Sequence, residues 1–321
     1  MKKFITKVLL FFGLLAVILV PVTGFFFWGI SPQYENGYNA SLLDKVERLK
    51  SIEEPKIVLI GNSNVSFGFQ SEMIEEKYGM PVVNMGLHGG LDNAFHEEMA
   101  KINVREGDVY VICHHTFSDD SKIDDIALAW ITLENHWDLY SLLNKEDIPS
   151  MLTGFPDYMK KATVLWGLGL VNQEAAKNYN AESDACYSRD AFNKYGDNVY
   201  PREEGSFTFK EQSLPEMNDN CINRLNELNK YLEERGASMV VAGYPIGKGE
   251  YTPAEEDFVA FQKVLANRLD CEVISDYRDY FFEYKYFYNS FLHLTDEGAR
   301  MRTEQLNQDL EKVLETEEEV K

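Results

Sequence analysis

At 321 residues, with 45% hydrophobic and 13% aromatic content, the chain can bury a full core and reads as one large domain, or one domain with a big insertion. A formal net charge of -22 leaves no basic surface for phosphates, which excludes nucleic acid as a partner class and argues against adsorption of the folded part onto an anionic membrane. A neutral glycan or another small neutral group is an easier partner than a polyanion.

The first segment stands apart in composition. Lys2, Lys3 and Lys7 precede an apolar stretch from about Val8 to Trp28, close to the ~20 residues needed to span a bilayer. Residues 1–29 are therefore expected to form a cytoplasmic stub and membrane anchor, with the lysines inside and the remainder of the chain outside. A cleaved signal peptide is the other reading, with Val22-Thr23-Gly24 as a poor cleavage site. The length and the aromatic end, Phe25 to Trp28, favour the retained anchor, and either way the folded part is exported.

Residues 30–54 are polar and read as a juxtamembrane linker. Short apolar runs then alternate with helical patterns over 55–315. Strands are expected at 56–60, 81–84, 109–113, 238–244 and 272–274. A helix over 72–78 has Ser71 to cap it and Gly79 to stop it. Further helices are expected over 93–103, 214–235 and 253–269, and a last one from Thr295 to about 314, before an acidic tail at 316–321. Alternation of this kind predicts an α/β fold: a doubly wound parallel sheet with helices on both faces. Residues 117–213 break the rhythm. They read as a partly helical insertion, either covering the carboxyl edge of the sheet or elaborating the packing.

Four cysteines fit an exported protein. Cys113 and Cys271 are expected as buried thiols, Cys186 and Cys221 are free to pair or not, and the spacings suit no metal motif.

Three stretches carry potential chemistry. "KIVLIGNSNVSFG" (56–68) ends a doubly buried strand in Gly-Asn-Ser-Asn, at the sheet edge where ligands of such folds sit. Gly61 permits a sharp turn, Ser63 presents a hydroxyl and Asn64 a backbone N–H beside it, which are the pieces of an acyl-transfer site. An ordinary strand-to-helix turn is the plainer reading. "PVVNMGLHGG" (81–90) ends the second strand at Asn84 and follows it with Gly86, Gly89 and Gly90, whose backbone can approach a ligand closely. His88 in that loop is either a base or a bystander. "YNSFLHLTDEGARMRTEQL" (288–306) places His293 just ahead of a helix capped by Thr295, where the helix dipole disfavours imidazolium and keeps a base neutral. Arg300 and Arg302 either reach the cleft or lie on the surface. The run "YFFEYKYFY" (280–288) is either a sugar-stacking wall or the cover of a core edge.

Together, and in this order, the three stretches resemble the SGNH (GDSL-like) hydrolase and acyltransferase superfamily. "IGNSNVSFG", "VVNMGLHGG" and "HLTDEGARMRT" look like its membrane-anchored bacterial members, which are linked to O-acylation or deacylation of cell-surface polysaccharides. The resemblance covers roughly 55–117 and 215–310. It implies a flavodoxin-like sheet, Ser63 as nucleophile, His293 as general base, and backbone N–H groups of Ser63 and Gly89 in an oxyanion hole. Asn64 and His115 (or His114) are further candidates for that hole, and Asn62, His88 and Arg302 for substrate contacts.

Three departures from the superfamily pattern stand out. Asn62 replaces the aspartate of the first block. No asparagine follows the third strand, where "VICHHTFSDD" offers His114 and His115. Ser290 stands where the acid of an Asp-x-x-His block is expected, with Asn289 one residue earlier, and Asn289 or a backbone carbonyl would orient His293. Asp276, Asp279 and Asp296 are other acids nearby. The expected activity is that of an extracytoplasmic serine esterase or O-acyltransferase on acyl groups, acetyl first, of cell-surface glycans. It needs no metal or nucleotide and has a membrane-bound acyltransferase as expected partner. The alternatives are a non-catalytic relative that binds glycan or a partner, and a scaffold of envelope assembly.

Overall fold

The computed structural model describes residues 1–30, 32–119, 122–134, 136–174, 176, 185–203, 205, 207–209, 212–250 and 252–318. Its centre is a sheet of five parallel strands, β1 (Ile57–Ile60), β2 (Val82–Asn84), β3 (Val109–Ile112), β4 (Ser238–Val241) and β5 (Glu272–Val273), in the order β2-β1-β3-β4-β5. The winding reverses between β1 and β3, which places a crevice beyond the carboxyl ends of those two strands. Leu59 of β1 pairs with Asn84 on one side and Val111 on the other, so β1 is central.

The apolar runs are continuous because both faces are covered. Ile57, Leu59, Val109, Val111 and Val240 face one layer, packing with Ile74 and with Leu306 and Leu310 of the last helix, Asp296–Glu318. Val58, Ile60, Tyr110, Ile112 and Val241 face the other, against Leu42, Val46, Phe95, Met99 and Leu225. Period-2 alternation puts neighbouring β-branched residues into different layers, so a mixed apolar and polar strand would not serve here.

The helix at Ser71–Tyr78 stops at Gly79, whose φ of 65° is the left-handed conformation that glycine adopts without a Cβ penalty. The helices at Asp219–Glu233 and Glu255–Ala266 fall within the expected stretches, and the one expected over 93–103 spans Asp92–Met99. The last helix runs to Glu318, into the expected tail, whose residues 319–321 lie outside the described ones. The fourth strand ends at Val241 rather than 244.

Residues 30–54 do not form a linker. They contain the helix Ser41–Ser51, whose Leu42, Val46 and Leu49 enter the main core, and Tyr38 beside the crevice. The insertion contains the helices Ile126–Thr132 and Ile148–Val171, and its later part, around Tyr187 to Arg202, lies over the crevice. Cys186 and Cys221 are both buried, belong to different core clusters and are not joined by a disulfide. The run 280–288 covers a core edge: Tyr280, Phe282 and Phe287 are buried, and Tyr284 stacks on Phe209.

One N-terminal helix, Lys2–Ile30 with its final wider turn, is long and apolar enough to cross a membrane. Phe26 and Ile30 are themselves buried in the main core, so this helix enters the domain without slack.

Candidate active site

β1 delivers its chain into a one-turn helix, Ser63–Ser66, capped by Asn62. The Asn62 Oδ1 accepts from the Asn64 backbone N–H (2.9 Å) and from Asn64 Nδ2 (2.7 Å). Across residues 61–69, Ser63 alone is not fully buried. A side chain at the first position of a helix, at the end of a doubly buried strand, has only the crevice to face.

Arg302 holds this turn from beneath. Its guanidinium donates to Asn64 O (2.6 Å), Asn64 Oδ1 (3.1 Å) and Gly243 O (3.0 Å), and it lies over the Phe69 ring. Arg302 is wholly buried, so the expected substrate contact is replaced by a supporting role. Asn64 is buried too, and its N–H is committed to Asn62, so it is not a donor turned toward the crevice. Arg300 lies on the surface between Glu297 and Glu304.

His293 arrives from the other end of the chain on a hairpin, Phe287–Ser290 against His293–Leu294. Ser290 Oγ accepts from the N–H groups of Leu292 and His293 (3.2 Å each), which closes the hairpin and turns this serine away from the acid's task. His293 Nε2 then lies 2.8 Å from Ser63 Oγ, and His293 Nδ1 lies 2.7 Å from Asn289 Oδ1. Thr295 caps the following helix by accepting from Gly298 N–H. Asp276 pairs with Arg278 and Asp296 with Arg202, so both of these nearby acids are engaged elsewhere.

The tautomer follows from a residue that the sequence did not single out. Asn289 Nδ2 donates to the Tyr187 hydroxyl (3.0 Å), which leaves the amide oxygen for the imidazole. His293 Nδ1–H therefore donates to Asn289, and Nε2 is left with a lone pair for the Ser63 proton. The ring stacks on Phe67, and Arg202, which donates to Phe67 O (2.8 Å), adds positive charge nearby. Burial first, then Arg202 and His88, lower the His293 pKa to about 3, so it is a neutral imidazole. Among the described residues no carboxylate opposes that shift.

The glycine loop packs directly on the turn that carries Ser63. A Cβ at Gly86 would sit 2.4 Å from the Ser66 backbone nitrogen, so only glycine lets the two segments approach this closely. Gly89 lies against the Asn62 side chain. Asn84 bridges this loop to the turn, donating to Val65 O (3.0 Å) and to Asp197 Oδ1 (2.8 Å). His88 is occupied locally: its Nδ1 accepts from Gly90 N–H (3.0 Å), and His293, not His88, reaches Ser63.

No protein-family model, curated protein or solved structure matches this chain.

After the third strand the two histidines separate. His114 turns into the core toward Glu97, which also binds Arg224. His115 stays at the crevice, where Asn62 Nδ2 lies 2.9 Å from its Nδ1. Because the Asn62 oxygen is taken by Asn64, its amide nitrogen donates here, and His115 carries its own proton on Nε2. His115 and Tyr244 also wall a cavity of about 750 Å³ that opens beside Ser290, Phe291 and Phe207.

The arrangement can activate a hydroxyl. It brings together Ser63, His293 and Asn289, with Asn62, Gly89 and His115 around the serine, and removes Asn64 and Arg302 to the support beneath. Tyr187, Phe67 and Arg202 are the additions. Phe67 lies four residues after Ser63 in the quoted stretch, whereas Tyr187 and Arg202 come from the irregular insertion and have no local signal.

Proposed function

We propose that this chain is a membrane-anchored, extracytoplasmic serine esterase or O-acyltransferase of the SGNH type, acting on acyl groups of cell-surface glycans. The observation that carries the reading is the relay of Ser63 Oγ, His293 Nε2 and Asn289 Oδ1, at 2.8 and 2.7 Å.

In this reading Ser63 Oγ attacks the acyl carbonyl while its proton passes to His293 Nε2. The new Oγ–C bond gives a tetrahedral oxyanion, accepted by the backbone N–H groups of Ser63 and Gly89. His115 Nε2–H, held by Asn62, stands where the superfamily places an asparagine and serves as a third donor. The ester C–O bond then breaks, and the departing alcohol takes the proton from His293. Water or a glycan hydroxyl repeats the sequence in reverse to release the acyl group. Asn289 holds the ring as an aspartate would, but does not neutralise the transient imidazolium, which predicts slow turnover.

The same neutral Asn289 favours one other reading, a non-catalytic binder of glycan or of a membrane acyltransferase. The test is the full chain in detergent, treated with a serine-directed fluorophosphonate and with a chromogenic acetate ester. Labelling lost in Ser63→Ala and strongly reduced in His293→Ala supports the enzyme. A folded protein that takes no label between pH 6 and 9 supports the binder.

A further inference from the structure

The helix Ile148–Val171 has two apolar sides. Met151, Tyr158, Ala162 and Leu165 form the stripe that is buried against the domain. Beside it, at the spacing of one helix face, run Ile148, Leu152, Met159, Thr163, Trp166 and Leu170, of which Thr163 alone is polar. Leu152 is 68% exposed and Leu170 70% exposed, and Val171 at the helix end is more exposed still. The charged side chains of this helix, Asp157, Lys160 and Lys161, project from other directions. Met159 and Trp166 on this side are half-buried against the main core, so its exposed apolar residues are Ile148 and Leu152 near the start of the helix and Leu170 and Val171 at its end, an exposure a soluble surface does not usually carry.

Its position says what covers it. Trp166 packs edge-on against Phe25 (6.0 Å between ring centroids), the last residue of the regular part of the N-terminal apolar helix. Phe155 packs on Phe26 and Phe27, and Phe27 on Trp137. Trp28 is 80% exposed and Trp137 57% exposed at the same level. Three of the four tryptophans in the chain thus gather around the point where the apolar helix ends, as aromatic side chains do at the border between headgroups and acyl chains.

We propose that Ile148–Val171 is an interfacial helix. Its second stripe lies in the lipid surface at the leaflet where the N-terminal helix emerges, with the two lysines at headgroup level. The occupant is the bilayer itself, because the stripe is continuous with a helix already of membrane-spanning length. Contact is apolar, which suits a chain of net charge -22 that has no means of attracting anionic lipid over a broad surface. This rests on the reading of Lys2–Ile30 as a membrane anchor. It adds a second attachment, which holds the catalytic crevice at one height and one orientation.

The test uses the full chain, with Cys271→Ser to remove the partly accessible native thiol, reconstituted in phosphatidylcholine vesicles. Nitroxide labels are placed one at a time through Leu152→Cys, Leu170→Cys, Lys161→Cys and Val17→Cys. Collision with oxygen, which concentrates in lipid, is compared with collision with a water-soluble nickel chelate, and circular dichroism verifies folding. The expected result is an oxygen-to-nickel ratio several-fold higher at 152 and 170 than at 161, and highest at 17. Ratios at 152 and 170 equal to that at 161, with 17 still in lipid, overturn the interfacial helix alone. Shielding of 152 and 170 from both reagents indicates a protein occupant and overturns it as well. Water-like behaviour at 17 overturns the anchor, and the interfacial helix with it.

Discussion

The His293 imidazole lies face to face on the Phe67 ring, with centroids 4.2 Å apart and planes inclined by 11°. One face of the imidazole is thereby sealed by hydrocarbon from the turn that carries Ser63. The Arg202 guanidinium lies over the same Phe67 ring. Both neighbours disfavour a second proton on the imidazole, and Asn289 brings no charge to offset them.

Ester cleavage is therefore expected to keep its base in the active form down to about pH 5, since the His293 pKa is held at about 3. An acid limb of kcat/KM centred near the free-imidazole value of ~6.5 would contradict this. The same shift bears on stability. The unfolded chain binds a proton at this residue below ~6.5 and the folded chain does not until about 3, so His293 destabilises the fold as pH falls through that window. Urea midpoints measured between pH 7 and 4 should fall, and His293→Gln should flatten the decline.

Asn289→Asp places a carboxylate 2.7 Å from Nδ1. It is expected to raise the His293 pKa and to increase kcat by at least about ten-fold, the converse substitution in a serine protease costing ~10⁴. Burst kinetics with a chromogenic ester measure it. An unchanged or lower kcat, in a variant that folds as the parent does, would show that the relay is not limited by the missing charge.

Tyr187→Phe removes the hydroxyl that accepts from Asn289 Nδ2. The amide then loses the bond that orients it, and kcat should drop about five- to ten-fold for ~1 kcal/mol of lost hydrogen bonding. KM should change little. Adding Asn289→Asp should abolish the effect, because a carboxylate has no wrong end. A Tyr187→Phe variant that alters KM alone would place the phenol in substrate binding instead.

Arg302→Ala empties a buried site and strips three acceptors of their donor. A loss of ~2–5 kcal/mol in chemical unfolding is expected, the range seen when large buried side chains are truncated. Fluorophosphonate labelling should fall with it, as the turn bearing Ser63 loosens. A surface arginine would give less than ~0.5 kcal/mol.

The elements that define the sheet were legible because each strand is buried on both sides and interrupted by glycine or a cap: Ile57–Ile60 and the stop at Gly79 are local facts. Ser63 and His293 were legible as a pair through the order of the three stretches, since each alone read as an ordinary strand-to-helix turn or a histidine ahead of a helix. Arg302 was misread because an arginine one turn into a helix looks the same in sequence whether it faces solvent or the underside of Asn64. Residues 30–54 were misread as a linker although Leu42, Val46 and Leu49 carry a helical spacing; their polar surroundings hid it. Tyr187 was not legible at all, since it meets Asn289 across 102 positions and no local pattern encodes that meeting.

The bond between Ser63 and His293 spans 230 positions of chain. Asp197, which fixes the insertion by accepting from Ser71 and Asn84, closes loops of 126 and 113 positions. Loops of that length form late, after the local helices and strands exist. A growing chain therefore carries Ser63 for most of its synthesis as an ordinary, unreactive alcohol. In the proposed reading the residue becomes a nucleophile only when nearly the whole polypeptide has been made and folded, so partly made copies would consume no acyl groups.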